Sequence, residues 1–249
     1  RKNHYADIVA SYPTGGKDNI DLMMATWTPG SYLVREYARN VESVSAVDDA
    51  RKAVQIEKTS KNRWRVSTGG SNHVHVSYRL YCREMSVRSN WVDAGYSLIN
   101  GAPTFLTLVE KTKRTHRVTV DTPKEWKDVV TSLPPVDGKN HTFEAADFDE
   151  LVDSPFLCGN PAIHKFEVGG KEHILANLHE DGLWDGKAAA IDVAKIVQHH
   201  QQFWGVTPYP RYVFFNLITE SGGGLEHDNN TVMMTSRFAY WVRKDYAKW

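Results

Sequence analysis

The sequence predicts a mainly β N-terminal domain with a β-sandwich-like architecture, followed by a segment of α/β character. Three observations support this prediction. Short runs that alternate between apolar and polar residues fill the first part of the chain, one amphipathic helix follows, and nearly unbroken apolar runs come after that helix. With 249 residues, the chain is long enough for one or two domains.

A period of two identifies the strands of the first part. From His73 to Cys82 every second residue is apolar, as in a strand with one face in water. Similar runs, separated by turn signals such as Gly69-Gly70 and Asp137-Gly138, are Trp64–Ser67, Thr104–Val109 and Arg117–Val120. Many short strands with frequent turns are typical of a β-sandwich.

The character of the sequence changes near Asp153-Ser-Pro-Phe156, where a proline discourages continuous regular structure. We therefore expect two domains, covering residues 1–155 and 156–249.

The second part contains one clear helix. Asp185 can cap its N-terminus and Gly205 can end it. The apolar stripe expected to face the core consists of Ala190, Val193, Ala194, Val197 and Trp204.

Two strands follow this helix. Arg211–Ile218 is a nearly unbroken apolar run, as expected of a strand covered on both faces, and Thr231–Thr235 resembles it. Between them Ser221–Gly224 is predicted to be a glycine loop. Residues Phe238–Trp249 are expected to begin a further helix.

Composition excludes several functional classes. Thirty basic and thirty acidic side chains give zero net charge, so the excess of cations that a nucleic-acid surface needs is lacking. No apolar run is long enough to span a membrane. Cys82 and Cys158 are expected to be buried thiols or, at most, one bridge. The compartment, cytoplasmic or exported, and the oligomeric state are left open.

Histidine patterns predict no complete metal site. His179-Glu180 begins the zinc-protease pattern, but Leu183 stands where the second histidine is required. His73 and His75 share a strand face without an identifiable third ligand. His199 and His200 are adjacent on the helix and point about 100° apart.

The segment Gly222-Gly-Gly-Leu-Glu-His227, here called the glycine segment, is the strongest candidate site. Its glycines allow an extended peptide to lie close to the backbone, and Glu226 offers a carboxylate to a substrate amine. The alternative is a flexible hairpin loop with two incidental polar residues.

The glycine segment resembles the substrate-recognition loop of the glycyl aminopeptidase family. These are gluzincin zinc metallopeptidases, distantly similar to aminopeptidase N, whose Gly-x-Met-Glu-Asn loop occupies the corresponding place. Other segments resemble the same family in the same order along the chain: Trp27–Val41, Ser86–Trp91, Ser97–Gly101 and Leu151–Pro155.

This resemblance implies a thermolysin-like catalytic domain after the β-domain, with a PDZ-like domain further on. It implies hydrolysis of N-terminal small residues, glycine or alanine, from peptides with a free N-terminus. By resemblance, the backbone of Gly222, Gly223 and Gly224 would hold the substrate main chain and Glu226 its α-amine. Leu225 and His227 belong to the same site, and His227 has no assigned role.

The zinc ligands of that family follow the recognition loop on a His-Glu-x-x-His helix, which we expect beyond Trp249. The chain is therefore expected to carry recognition without catalytic residues, to bind no zinc itself, and to be inactive alone, although zinc would serve the full-length enzyme. The alternative is a non-catalytic peptide- or glycan-binding module or a pseudoenzyme. Eight tryptophans suggest sugar stacking, but they are more simply explained as core and rim residues.

Overall fold

The computed structural model describes residues 4–110 and 113–249. Strands predominate over helices in this part of the chain, so the prediction of a mainly β protein is confirmed. Strands β1–β10 are Tyr5–Pro13, Asn19–Met24, Val41–Asp48, Ala53–Val54, Ile56–Ser60, Arg63–Ser67, His73–Tyr81, Trp91–Val92, Ser97–Ile99 and Leu106–Leu108. Strands β11–β19 are His116–Thr119, Asp128–Thr131, Thr142–Ala145, Phe156–Gly159, Ala162–Val168, Lys171–Leu178, Arg211–Thr219, Gly223–Glu226 and Asn230–Ser236. Helices α1–α3 are Phe148–Val152, Gly186–Trp204 and Arg243–Tyr246.

The chain folds into two compact units that interleave along the sequence. The first runs to Ala94 and includes Ile99–His116 and Ala145–Val152. The second comprises Gly95–Leu98, Arg117–Glu144 and Asp153–Trp249. The domain boundary expected at residue 155 stays a prediction.

The first unit contains two four-stranded sheets, in the orders β1-β7-β3-β4 and β10-β2-β6-β5. Strand β7 shows the predicted alternation, because Val74, Val76, Tyr78 and Leu80 are buried between more exposed neighbours. Apolar side chains from both sheets meet in one core, which is the packing that the alternating pattern predicts.

The second unit is built on a five-stranded mixed sheet in the order β15-β16-β17-β19-β18. Strands β16, β17 and β19 are parallel, while β15 and β18 lie antiparallel at the two edges. In β17 the run Phe215–Ile218 is fully buried, which confirms the prediction of a strand covered on both faces.

Helix α2 connects β16 to β17 and begins and ends at the predicted residues. The Asp185 carboxylate accepts a hydrogen bond from the Ala188 N–H at 3.0 Å. Gly205 closes the helix in the left-handed conformation, with φ of 70°.

Two details of the second unit differ from the prediction. Trp204, the last residue of α2, is 69% exposed instead of packing against the core. Residues Phe238–Trp249 form a short 3₁₀ helix, Ala239–Trp241, and the single-turn α3 instead of one continuous helix. Their aromatic side chains pack around Trp184, and the Trp249 indole donates to Asn216 Oδ1 at 2.9 Å.

Both cysteines are free and buried, so the buried-thiol interpretation is confirmed and no bridge forms between them. Burial raises the pKa of the Cys82 thiol to about 12 and that of Cys158 to about 11.

Among the described residues, no helix combines the length and apolar character needed to cross a membrane.

Candidate functional site

The glycine segment consists of an edge strand, Gly223–Glu226, and one residue on either side of it. This corrects the prediction of a loop at Gly223 and Gly224. Gly223–Glu226 forms β18 and pairs antiparallel with β19, with Leu225 opposite Val232. Local sequence predicted a loop because three glycines disfavour a strand. The structure places Gly223 and Gly224 in the strand because β19 supplies hydrogen-bond partners and Leu225, 1% exposed, anchors the strand in the core. Ser221 and Gly222 lie outside any strand, as predicted.

Exposure divides the side chains of this segment into two sets. Gly223, Gly224 and Glu226 are exposed, whereas Leu225 and His227 are buried. Gly223 has φ of 146°, which residues with a side chain rarely adopt. A Cβ at Gly224 would meet no heavy atom within 4 Å, so the space beside this residue is open.

The outer edge of β18 has no neighbouring strand in the part of the chain that the structure describes. The His227 N–H donates to the Asn230 carbonyl at 2.8 Å, which makes these two residues a hydrogen-bonded pair next to the turn. Because such pairs alternate along antiparallel strands, the main-chain groups of Gly224 and Glu226 point outward. This edge therefore offers an N–H and a carbonyl at alternate residues.

The structure explains how the end of this strand is held, which the sequence had left open. His227 Nδ1 lies 2.6 Å from Asp153 Oδ1, and the other oxygen of Asp153 accepts from the Asp228 N–H at 2.9 Å. An ionised carboxylate only accepts hydrogen bonds, so the proton of this pair is on His227 Nδ1. His227 Nε2 is buried and has no partner among the described residues.

Asn230 and Tyr212 complete this support. The Asn230 amide donates to the Asp153 carbonyl oxygen at 2.9 Å and to Ser132 Oγ at 3.1 Å. The Tyr212 hydroxyl donates to the Asn230 carbonyl at 3.0 Å. Burial first, then the negative charges of the Tyr209 hydroxyl when ionised and of the Glu226, Asp153 and Asp228 carboxylates, raise the pKa of Tyr212 well above its ordinary range.

Sequence reasoning missed Asp153, Tyr212 and Asn230 as parts of this site. Asp153 appeared only within the junction segment Leu151–Pro155, and Tyr212 and Asn230 only within or beside apolar runs. Asp153 and His227 are separated by 74 residues, so no local pattern brings them together.

The described residues fit no metal site, since they include no group of three His, Cys, Asp or Glu side chains able to hold an ion. Glu180, from the incomplete His-Glu pattern, instead lies 2.8 Å from His164 Nε2. His73 and His75 flank Asp49 at 3.7 and 3.9 Å. His199 and His200 are exposed on α2.

Comparison with solved structures finds a crystal structure of an aminopeptidase N family protein from Idiomarina loihiensis. The two chains are 27% identical with a TM-score of 0.86, and the match covers 96% of this chain and 41% of that one. The present chain thus spans about two fifths of that relative's length. Comparison with curated proteins gave no match.

A protein family described as Peptidase M61 N-terminal domain matches residues 1–160, which is more than half of the chain. Together with the aminopeptidase-like neighbour, this match supports descent from peptide hydrolases. The chain belongs to the Peptidase M61 N-terminal domain family.

Proposed function

We propose that this chain is the N-terminal portion of a zinc-dependent aminopeptidase of the glycyl aminopeptidase group of gluzincins. It would carry the substrate-recognition strand, whereas the zinc ligands and the catalytic base would come from residues that it does not contain. Residues 1–155 would form the β-domain, and residues 156–249 the beginning of a thermolysin-like peptidase domain. The observation that carries this proposal is the position of the glycine segment at a free sheet edge, with an exposed carboxylate at its end.

The free edge of β18 supports recognition of a peptide main chain. A substrate lying along this edge would pair with the outward N–H and carbonyl groups of Gly224 and Glu226, as an added strand does. The open space beside Gly224 lets the substrate backbone approach closely. The paired main chain holds the substrate without selecting side chains.

Glu226 supports recognition of a free N-terminus. Its carboxylate is exposed, and it forms no salt bridge within the described residues. An α-ammonium group would satisfy this carboxylate with a charge-assisted hydrogen bond, which an internal peptide bond does not provide. Exopeptidase specificity follows from that single charge.

The preference for glycine or alanine rests on the resemblance alone. The described residues fit no metal site, and in this proposal the zinc ligands come from residues that the chain does not contain. The chain's own residues would bind and orient the substrate. Strand β18 would align the peptide main chain, and Glu226 would hold its N-terminal ammonium group.

Binding to the 249-residue chain tests the recognition half of this proposal. In ¹H–¹⁵N spectra, trialanine amide with a free N-terminus should shift the resonances of Gly223–Glu226, and its N-acetylated form should bind more weakly. Glu226→Gln should lower affinity for the free-amine peptide about tenfold, the effect of losing one charged hydrogen bond.

Glu220→Gln is the matched control, since Glu220 is 81% exposed near the same segment and pairs only loosely with Arg237 at 3.7 Å. Equal losses with both variants, or equal losses for free and acetylated peptides, would contradict the role of Glu226. If the coding frame continues past Trp249, the longer product should release p-nitroaniline from glycyl or alanyl p-nitroanilide in a chelator-sensitive way. Absence of that activity would refute the peptidase assignment.

A further inference from the structure

The opposite edge of the same sheet also lacks a partner strand within residues 4–110 and 113–249. Strand β15 lies at the end of the five-strand order, and no described strand pairs with its outer side. It joins β16 through Gly169-Gly170, whose φ values of 60° and 72° are those of a type I′ turn. Such a turn closes on a hydrogen-bonded pair, here Val168 and Lys171.

This register determines which main-chain groups of β15 are available. Counting back from Val168 by twos, Phe166 and His164 bond to β16, so the main-chain groups of Ile163, Lys165 and Glu167 point outward. Three residues at alternate positions thus present an N–H and a carbonyl to a further strand.

Helix α2 runs beside this edge and makes it one wall of a groove, here called the edge groove. The residues of α2 that line it lie at helical spacing on one stripe: Lys187, Ala190, Ile191, Ala194, Lys195, Gln198 and Gln201. Gly169 approaches the Gln201 side chain at one end, and His164 approaches Gly186 at the other. The cavity volume is about 790 Å³, enough for several side chains.

The edge groove combines apolar surface with positive charge. Phe166, Val168, Ala190 and Ala194 contribute apolar surface, and Ile191 is 60% exposed at the margin. Its charged lining comprises Lys165, Lys187 and Lys195 against Glu167 alone.

Two of these lysines have neighbouring acids outside the lining. Lys165 pairs with Glu172 and Lys195 with Asp192, each at 2.9 Å between exposed side chains. Exposed pairs of this kind contribute little to stability. Lys187 forms no salt bridge within the described residues.

We propose that the edge groove binds an extended acidic peptide of about six residues, which adds to β15 as a new edge strand. The peptide main chain would pair with Ile163, Lys165 and Glu167. Its acidic side chains would point to the face of β15 that packs on α2 and would reach Lys187 and Lys195, and its apolar side chains would lie on the other face beside Ile163. Strand addition supplies affinity through the main chain and specificity through alternate side chains. This site is separate from the proposed recognition strand, because β15 and β18 lie at opposite edges of one sheet.

Fluorescence anisotropy with the labelled peptide acetyl-(Glu-Val)₃-amide tests the proposal on the 249-residue chain. The peptide should bind, acetyl-(Lys-Val)₃-amide should bind at least tenfold more weakly, and K187E/K195E should reverse this preference. Lys139→Glu, an exposed turn substitution outside the groove, should change neither affinity. Failure of the acidic peptide to bind, or equal effects of K139E and K187E/K195E, would overturn the proposal.

Backbone methylation distinguishes strand addition from simple charge attraction. Two acidic peptides, N-methylated at odd or at even positions, block opposite edges of the added strand. One should lose affinity at least tenfold and the other should retain it, whereas equal affinities would exclude pairing with β15.

Ala194→Trp should also weaken binding by filling the groove, provided that its circular dichroism matches the parent chain. Because the probe is acetylated, Glu226→Gln should leave its binding unchanged. A changed affinity in E226Q, tighter or weaker, would place the peptide at β18 and overturn this inference while leaving the proposed recognition strand intact.

Discussion

At the scale of single residues, the contact between Asp153 and His227 holds the end of the glycine segment. One carboxylate receives two donors, the His227 imidazole at 2.6 Å and the Asp228 N–H at 2.9 Å. A buried donor that loses its partner costs about 1–3 kcal/mol, because it has already lost its water. The segment is thus positioned by a residue far away in sequence, while its own exposed residues stay free to contact a substrate.

We expect Asp153→Ala to destabilise the protein by about 2–4 kcal/mol, since both donors lose their acceptor. Asp153→Asn should cost less, because its single amide oxygen can still accept one of the two hydrogen bonds. Urea unfolding of the two variants, with the exposed turn variant Asp137→Ala as control, measures the difference. Equal stability of D153A and the parent would show that the contact contributes nothing.

Gly223 provides a second prediction at this scale. Gly223 has a φ of 146°, which an alanine would adopt only with backbone strain. We therefore expect Gly223→Ala to destabilise the protein by about 1–3 kcal/mol. Gly224→Ala is the matched control, since its new Cβ would meet open space and its φ lies outside the strained range. Thermal unfolding of both variants checks this expectation, which a larger loss in G224A would contradict.

At the scale of elements, α2 shows how local signals define a helix completely. Asp185 caps the first turn, and Gly205 accepts the left-handed conformation that ends the last one. Of the predicted stripe, Ala190, Val193 and Val197 are buried and Ala194 is half-buried. Trp204, in the last turn of the helix, departs from the stripe because 69% of its surface is exposed.

We expect Asp185→Ala to cost about 1 kcal/mol by removing the cap acceptor of Ala188. Gly205→Ala should cost about 1 kcal/mol through its positive φ. The two losses should add in the double variant, because the sites are a helix length apart. Chemical denaturation measures all three, with exposed Gln202→Ala as reference; strong non-additivity would argue against independent ends.

At the scale of the whole molecule, a buried histidine links stability to pH. His173 is fully buried, its Nδ1 donates to the Lys171 carbonyl, and its Nε2 lies 3.0 Å from the Tyr209 hydroxyl. Burial lowers the pKa of His173 below its ordinary value of 6.5. The unfolded chain therefore binds a proton at a higher pH than the folded chain does.

Above about pH 7, His173 should not change the free energy of unfolding with pH. As pH drops through 6.5, protonation of His173 in the unfolded chain should lower that free energy. The melting temperature should be lower at pH 5.5 than at pH 7.5, and His173→Gln should reduce that difference. The pKa of His116 is also lowered by burial, so part of the difference should remain. An unchanged pH dependence in H173Q would contradict this assignment.

The sequence by itself determined the strands with a regular alternation and the two ends of α2. It also identified the glycine segment as a candidate site. The strands and helix ends depend on neighbours within one or two turns, as Asp185 with Ala188 or Val74 with Val76 shows. Resemblance added the family, which the match to residues 1–160 then supported at the level of the Peptidase M61 N-terminal domain.

Only the tertiary structure decided that the glycine segment is an edge strand, that Asp153 holds His227, and that α2 and β15 enclose a groove. Each of these features requires residues from different parts of the chain to meet. Asp153 contacts His227 across 74 positions of sequence. The sheet places β18 beside β19 instead of β17, and β15 at the edge next to α2. Local propensity disfavours a strand of glycines, but hydrogen bonds to β19 and the burial of Leu225 outweigh it. Long-range packing, which no short window of sequence contains, is the physical reason for the difference.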